Sequence, residues 1–267
     1  MLHGPGSPWP TLMLLLLLVT GMGSAQQQPP MSTPPPAAAP AVLPEALAAL
    51  EKMGKFLYTL KAFALRADTS TDEVLEDSGQ KIQFGSVVEY RVRPPDRLRA
   101  DVVADRKHQQ FFYDGKTITL YGQRSHYYAS VPAPPTIREA LTFAVEKYGL
   151  EVPLADLFFW GTDQAHPEDI TAAIYVGPSW VGGVLCDHYA FRQESVDWQI
   201  WIERSDTPLP RKLVITTTEE AQQPQYIAVL TWNLTPQFDD AQLTFVPPAE
   251  ARRIVIQEVA SQPQPKN

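Results

Sequence analysis

Two hydrophobic periods divide the chain. Between Val42 and Lys61, Leu43, Leu47, Leu50, Leu57 and Leu60 recur at helical spacing with Pro44 near the first turn, which predicts an amphipathic helix. From Phe63 onward the period is two. Ile82, Phe84, Val88, Tyr90 and Val92 fall on one face, and Gln83, Glu89 and Arg91 on the other. Leu98, Ala100 and Val102 alternate in the same way with Arg97, Arg99 and Asp101. Such alternation marks antiparallel strands with one wet face. Asp114-Gly115, between Phe111-Phe112-Tyr113 and Thr117-Ile118, predicts a type I′ hairpin, in which both central residues take positive φ. Further strands are predicted over 126–131, 170–176, 184–192, 196–203, 211–218, 225–234 and 242–245. Thr136 and Glu139 form a capping-box pattern that opens a second helix, with Ile137, Leu141, Val145 and Tyr148 on one face and Gly149 after its end. A short helix is expected over 154–160.

The count of elements then constrains the architecture. About ten strands or more, each with one apolar face, are served by only two or three helices, and a large twisted sheet must curl, split or close. Curling around the helices gives an incomplete antiparallel barrel with a small helical lid. Splitting gives a sandwich with a filled core, and the pattern leaves that alternative open. In the curled form the inner wall is filled by side chains, plugged by the lid or occupied by a ligand, because wet apolar surface forfeits about 25 cal/mol per Å².

The ends of the chain read differently from its middle. Residues 1–25 carry an apolar run from Leu12 to Val19 and end in Gly23-Ser24-Ala25, the pattern of a cleaved signal peptide, although Met1 to Thr11 contain no Lys or Arg. The same segment kept as an anchor is the alternative. No cysteine stands at the cleavage site to carry a lipid. Residues 26–42 are Pro-, Gln- and Ala-rich and read as a disordered linker; 43–258 form the folded domain, and 259–267 a loose tail. The expected compartment is the periplasm. The net charge of −8 argues against nucleic acid as a partner, since phosphate recognition needs clustered Lys and Arg. A single cysteine, Cys186, excludes an internal disulfide framework. A monomer without a transmembrane segment after cleavage is the expected state.

Local sequence also resembles known proteins. Arg93-Pro94-Pro95-Asp96-Arg97-Leu98-Arg99 and Phe112-Tyr113-Asp114-Gly115-Lys116-Thr117-Ile118-Thr119-Leu120-Tyr121 resemble early hairpins of periplasmic lipoprotein carriers of the LolA and LolB type. Gly182 to Phe191, Asp197 to Ile202 and Pro208 to Lys212 are similar to a family of predicted periplasmic bacterial proteins of unassigned function, over residues 44–256. The resemblance implies a LolA-like, mainly β (α+β) fold whose relatives hold lipid or lipoprotein acyl chains. It carries no site residue with it.

Candidate chemistry is sparse. Cys186 and His188 share a strand face, but no CxxC or HxxxH spacing completes a metal site, so a packed thiol and a hydrogen-bonded imidazole are the plainer reading. Residues 68–77 fail the calcium-loop template, with Glu73 at the sixth position and Gly79 at the twelfth, and read as a solvated hairpin end. No nucleophile, base and orienter converge, so catalytic residues, cofactor and metal are all expected to be absent; a hydrolase using Ser179 or His188 is the remote alternative. The aromatics say more. Phe84, Leu98, Leu120, Phe158, Phe159, Trp160, Trp198, Ile200, Leu230 and Trp232 are the expected lining of an apolar cavity, although an ordinary core would take the same residues. The expected function is non-enzymatic binding or carriage of a lipid-like or acyl-chain ligand. The alternative is an envelope protein-interaction or regulatory module with a filled core.

Overall fold

The alternating segments assemble into one twelve-stranded sheet in the computed structural model of the protein, which describes residues 41–162 and 165–259. The expected signal peptide, the linker up to residue 40 and the tail beyond residue 259 lie outside those residues. The strands are β1 (Phe63–Val74), β2 (Lys81–Arg93), β3 (Arg97–Ala104), β4 (His108–Tyr113), β5 (Thr117–Gly122), β6 (Tyr127–Pro132), β7 (Ala172–Val181), β8 (Val184–Arg192), β9 (Val196–Glu203), β10 (Pro210–Thr217), β11 (Gln225–Asn233) and β12 (Arg252–Arg253). Two α-helices accompany them among the described residues, α1 (Pro44–Thr59) and α2 (Ile137–Tyr148).

Strand order is β12-β6-β5-β4-β3-β2-β1-β11-β10-β9-β8-β7. Two antiparallel meanders therefore join where β1 pairs with β11, and the sheet stays open between β7 and β12. One continuous sheet excludes the two-sheet sandwich and leaves the incomplete barrel. Its final pair, β12 with β6, is parallel. A single core cluster draws on β1 to β5 and β7 to β11 together with Met53 and Leu57 of α1 and Ile137, Ala140, Leu141 and Ala144 of α2. Both halves of the sheet thus bury their apolar faces against the same two helices, as strand twist over so many strands requires.

Local details depart from the expected elements for identifiable reasons. Residues 242–245 do not pair as a strand; Asp240–Leu243 form a 3-10 turn capped by the Asp239 carboxylate. Phe245 instead packs its ring 5.3, 5.5 and 5.2 Å from Phe112, Tyr121 and Tyr128, so its apolar character serves a strap across the sheet. In the β4–β5 hairpin only Gly115 is left-handed, at φ 85°, which overturns the type I′ turn. The Asp114 carboxylate accepts from the N–H of Lys116 (3.1 Å) and Thr117 (2.8 Å), and these bonds favour the wider loop. Residues 68–74 lie within β1, so the solvated hairpin end begins only at Leu75. The short helix expected over 154–160 is a 3-10 turn, Ala155–Phe158.

Helix α2 begins at the N-cap that its sequence marks, although the Glu139 carboxylate accepts from the Thr136 hydroxyl and the reciprocal half of the capping box is not formed. The Thr136 side chain accepts from the Glu139 N–H, and Gly149 ends the helix at φ 61°. Its buried stripe is Ile137, Ala140, Leu141 and Ala144, whereas Val145 is 43% exposed. Helix α1 buries Ala46, Met53, Gly54 and Leu57, so of the leucines that its periodicity marks only Leu57 is fully buried. Leu47 and Leu50 are left half-buried on its flank. That displacement positions the site.

Candidate functional site

Helix α1 is held at two places. At its start, the Leu43 N–H donates to the Ala173 carbonyl (2.9 Å) and the Ala173 N–H to that of Ala41 (3.2 Å), tying the chain to edge strand β7. At its middle, Gly54 meets the backbone of Trp160 and Gly161 so closely that a Cβ on Gly54 would sit 2.4 Å from the Gly161 nitrogen. Gly161 reciprocates, with φ 76° and no room for a Cβ. Between these anchors, a cavity of about 770 Å³ is lined by α1 on one side and by residues of β9 and β10 on the other.

Leu47 and Leu50 roof this cavity, Val196, Trp198, Leu213 and Ile215 floor it, and Trp160 closes the end toward Gly54. The Trp198 indole stacks on Phe191, with centroids 4.2 Å apart, and donates its Nε1–H to Gln193 Oε1 at 3.0 Å, which fixes the ring as a wall. A second crevice of about 300 Å³ lies beyond Trp160, lined by Leu57, Phe63, Phe158 and Trp232 and by the basic side chains Lys61 and Arg138. The two volumes fall in and near the range of small-ligand sites, about 300–1,000 Å³.

One charged group in the large cavity is unusual. Asp156 sits in the 3-10 turn that follows Leu154, a buried residue in left-handed conformation at φ 62°. Among the described residues no cation pairs with its carboxylate. Desolvation pushes the Asp156 pKa above the ordinary carboxylate range, and a hydrogen bond from its own backbone N–H offsets part of this. Nearby, Tyr226 Oη is buried without a hydrogen-bond partner, and burial together with the Asp156 charge raises its pKa.

A raised folded-state pKa means that the folded protein holds the Asp156 proton where the unfolded chain has released it. Stability from this group therefore falls as pH rises from the unfolded carboxylate value through the folded one. Asp156→Asn removes the charge whose partial desolvation raises that pKa, and because the residue keeps contact with solvent the gain is small. The ligand-free variant is expected to melt above the native protein at neutral pH, with the gap closing on acidification, measured as Tm across an acid-to-neutral series.

The ten residues expected to line a cavity separate into groups. Leu98, Ile200 and Leu230 are enclosed in the core. Trp160 and Trp198 line the large cavity, Phe158 and Trp232 the second crevice with Trp160, and Phe159 a third hollow against α2. Phe84 lies apart, its ring covered by the Arg106 guanidinium at 4.5 Å, and Leu120 is half-buried on β5 outside the core cluster. Sequence reasoning missed Asp156, Leu213 and Ile215. The signal for Asp156 was available: it is the one charge within the apolar run Leu154 to Trp160.

Cys186 and His188 lie elsewhere. The thiol is fully buried and its pKa is pushed up to about 11 by burial. The imidazole stacks on Trp201 at 3.9 Å and bonds through Nε2 to Gln199 Oε1 at 3.0 Å. No group of three or more His, Cys, Asp or Glu among the described residues is arranged to hold a metal. No helix among them is long and apolar enough to cross a membrane.

An uncharacterised conserved protein from Thermus thermophilus is similar to this chain in structure at 11% identity and TM-score 0.47, covering 79% of this chain and 99% of that one. Lipoprotein LppX of Mycobacterium tuberculosis is similar at 14% identity and TM-score 0.45, covering 73% and 99%. A LolA superfamily protein from Nitrosomonas europaea is similar at 8% identity and TM-score 0.35, covering 75% and 97%. No curated protein matches the sequence. Residues 46–257 match one family over nearly the whole folded unit, and the chain belongs to it: the predicted periplasmic proteins DUF2092.

Proposed function

We propose that the protein is a non-enzymatic periplasmic binding or carrier protein that holds a lipid-like chain in the cavity under α1. The observation that carries this reading is the mostly apolar space of about 770 Å³ between Leu47 and Leu50 above and Trp198 and Ile215 below. Each methylene removed from water contributes about 0.8 kcal/mol, so about ten methylenes gain about 8 kcal/mol gross, from which the costs of association and ordering are subtracted. The described residues that line the cavity bring no nucleophile–base pair to it. Carriage as opposed to sensing is a matter of partners.

The test is direct. Protein purified without refolding is extracted with organic solvent for mass spectrometry, and delipidated protein is titrated with a neutral naphthylamine fluorophore. Saturable micromolar uptake is expected, weakened at least about tenfold by Leu47→Trp, which fills the roof of the cavity. Dry extracts together with no uptake would overturn the reading.

A second reading has its own support. Edge strand β7 exposes Ile174 (47%), Val176 (53%) and Trp180 (70%), an apolar face suited to a protein partner in the envelope. A dry cavity, with a stoichiometric envelope protein retained on the folded domain and lost on Trp180→Ser, favours this interaction module.

A further inference from the structure

The polar lining of the large cavity is one-sided. Its charged members are Glu51 and Asp156, and no Lys, Arg or His lines it among the described residues. Glu51 is already paired with Lys55, Gln193 Oε1 with the Trp198 indole, and the Thr162 hydroxyl with the Phe159 carbonyl. Asp156 alone is left without a partner side chain, facing an apolar space. Asp156 is solvent-accessible, so water serves its charge while the cavity is empty, and an apolar chain that displaces that water leaves the carboxylate in need of a partner. An anionic head does not supply one: carboxylate or phosphate beside Asp156 meets like charge, in a lining whose other charge, Glu51, is also acidic. The second crevice has the opposite character, with Lys61 and Arg138 and no acid.

We propose that the large cavity, on the reading that it is the ligand site, takes a single-chain amphiphile whose head donates hydrogen bonds and carries no negative charge, an alkylammonium foremost. The head sits at Asp156 and the chain runs along Leu47, Leu50, Trp198 and Ile215. An ammonium supplies the counter-ion that the protein withholds, and a hydroxyl head satisfies the donor requirement without charge. The cavity thereby selects by head chemistry among chains of equal length.

The experiment uses three chains differing only at the head, dodecylamine, dodecanol and dodecanoate, each below its micellar concentration. They compete with the neutral naphthylamine fluorophore on the native protein. Dodecylamine is expected to displace it at a concentration at least about tenfold lower than dodecanoate, with dodecanol between them. Asp156→Asn is expected to collapse that order. Dodecanoate competing as well as dodecylamine overturns the proposal while leaving the cavity as a lipid site. An order unchanged in Asp156→Asn overturns Asp156 as the seat. No fluorophore uptake at all overturns the cavity reading itself. The native ranking needs no variant, so the proposal stays testable should Asp156→Asn fail to fold.

Discussion

Gly54→Ala is expected to destabilise the protein by about 2–3 kcal/mol, against the direction that helix propensity dictates. Alanine is favoured over glycine inside a helix by about 1 kcal/mol, so the same exchange on a free helix face would stabilise. At Gly54 the added Cβ would lie 2.4 Å from the Gly161 nitrogen and 2.5 Å from the Trp160 carbonyl oxygen. These are backbone atoms and cannot swing aside as a side chain would. Either α1 lifts, at the cost of the Met53 and Leu57 burial, or the turn that carries Asp156 moves. Gly161→Ala is expected to cost as much, since its Cβ would meet the Gly54 carbonyl carbon at 2.6 Å and its φ is 76°. The two losses should not add in the double variant, because one displacement relieves both. Urea midpoints decide the matter, and a gain in stability for Gly54→Ala would mean that α1 and the turn do not touch.

The same contact shows where the sequence is silent. Strand alternation is a local signal, and the runs 184–192 and 196–203 coincide with β8 and β9 residue for residue. Helix α2 announces both ends through Thr136 and Gly149. The Gly54–Gly161 approach joins positions more than a hundred residues apart, and nothing in either neighbourhood says that the other exists. Trp160 and Gly161 also line the cavity, so its boundary at that end was illegible even though Trp160 and Trp198 were recognised as candidates. Leu47 and Leu50 were legible only as members of a helix's apolar face. Helix periodicity reports apolar residues without saying what they meet, and these two pack against the core edge and line the cavity as well. Phe84 fell on the correct face by parity but sits toward the far end of β2, where Arg106 covers it. Alternation gives the face of a residue, whereas its depth along the strand depends on where the helices lie.

Core and cavity can be separated on a single strand. Trp198 and Ile200 are two apart on β9 and share its inner face, opposite Phe191 and Tyr189 of β8. Ile200 is fully enclosed, so Ile200→Ala is expected to cost about 2–5 kcal/mol by lost transfer and a residual void. Per folded molecule its fluorophore affinity should not change, because Ile200 is not part of the cavity wall. Trp198 is half-buried with one side toward the cavity, so Trp198→Ala forfeits the Phe191 stack and the Gln193 bond at a smaller cost, about 1–3 kcal/mol. Its affinity should fall about tenfold or more, as expected for an aromatic wall in a desolvated site. Denaturant titration and fluorophore titration on the same two variants read both quantities. Equal affinity losses for Ile200→Ala and Trp198→Ala would mean that the ligand does not lie against Trp198 and that the inner face of β9 acts only as core.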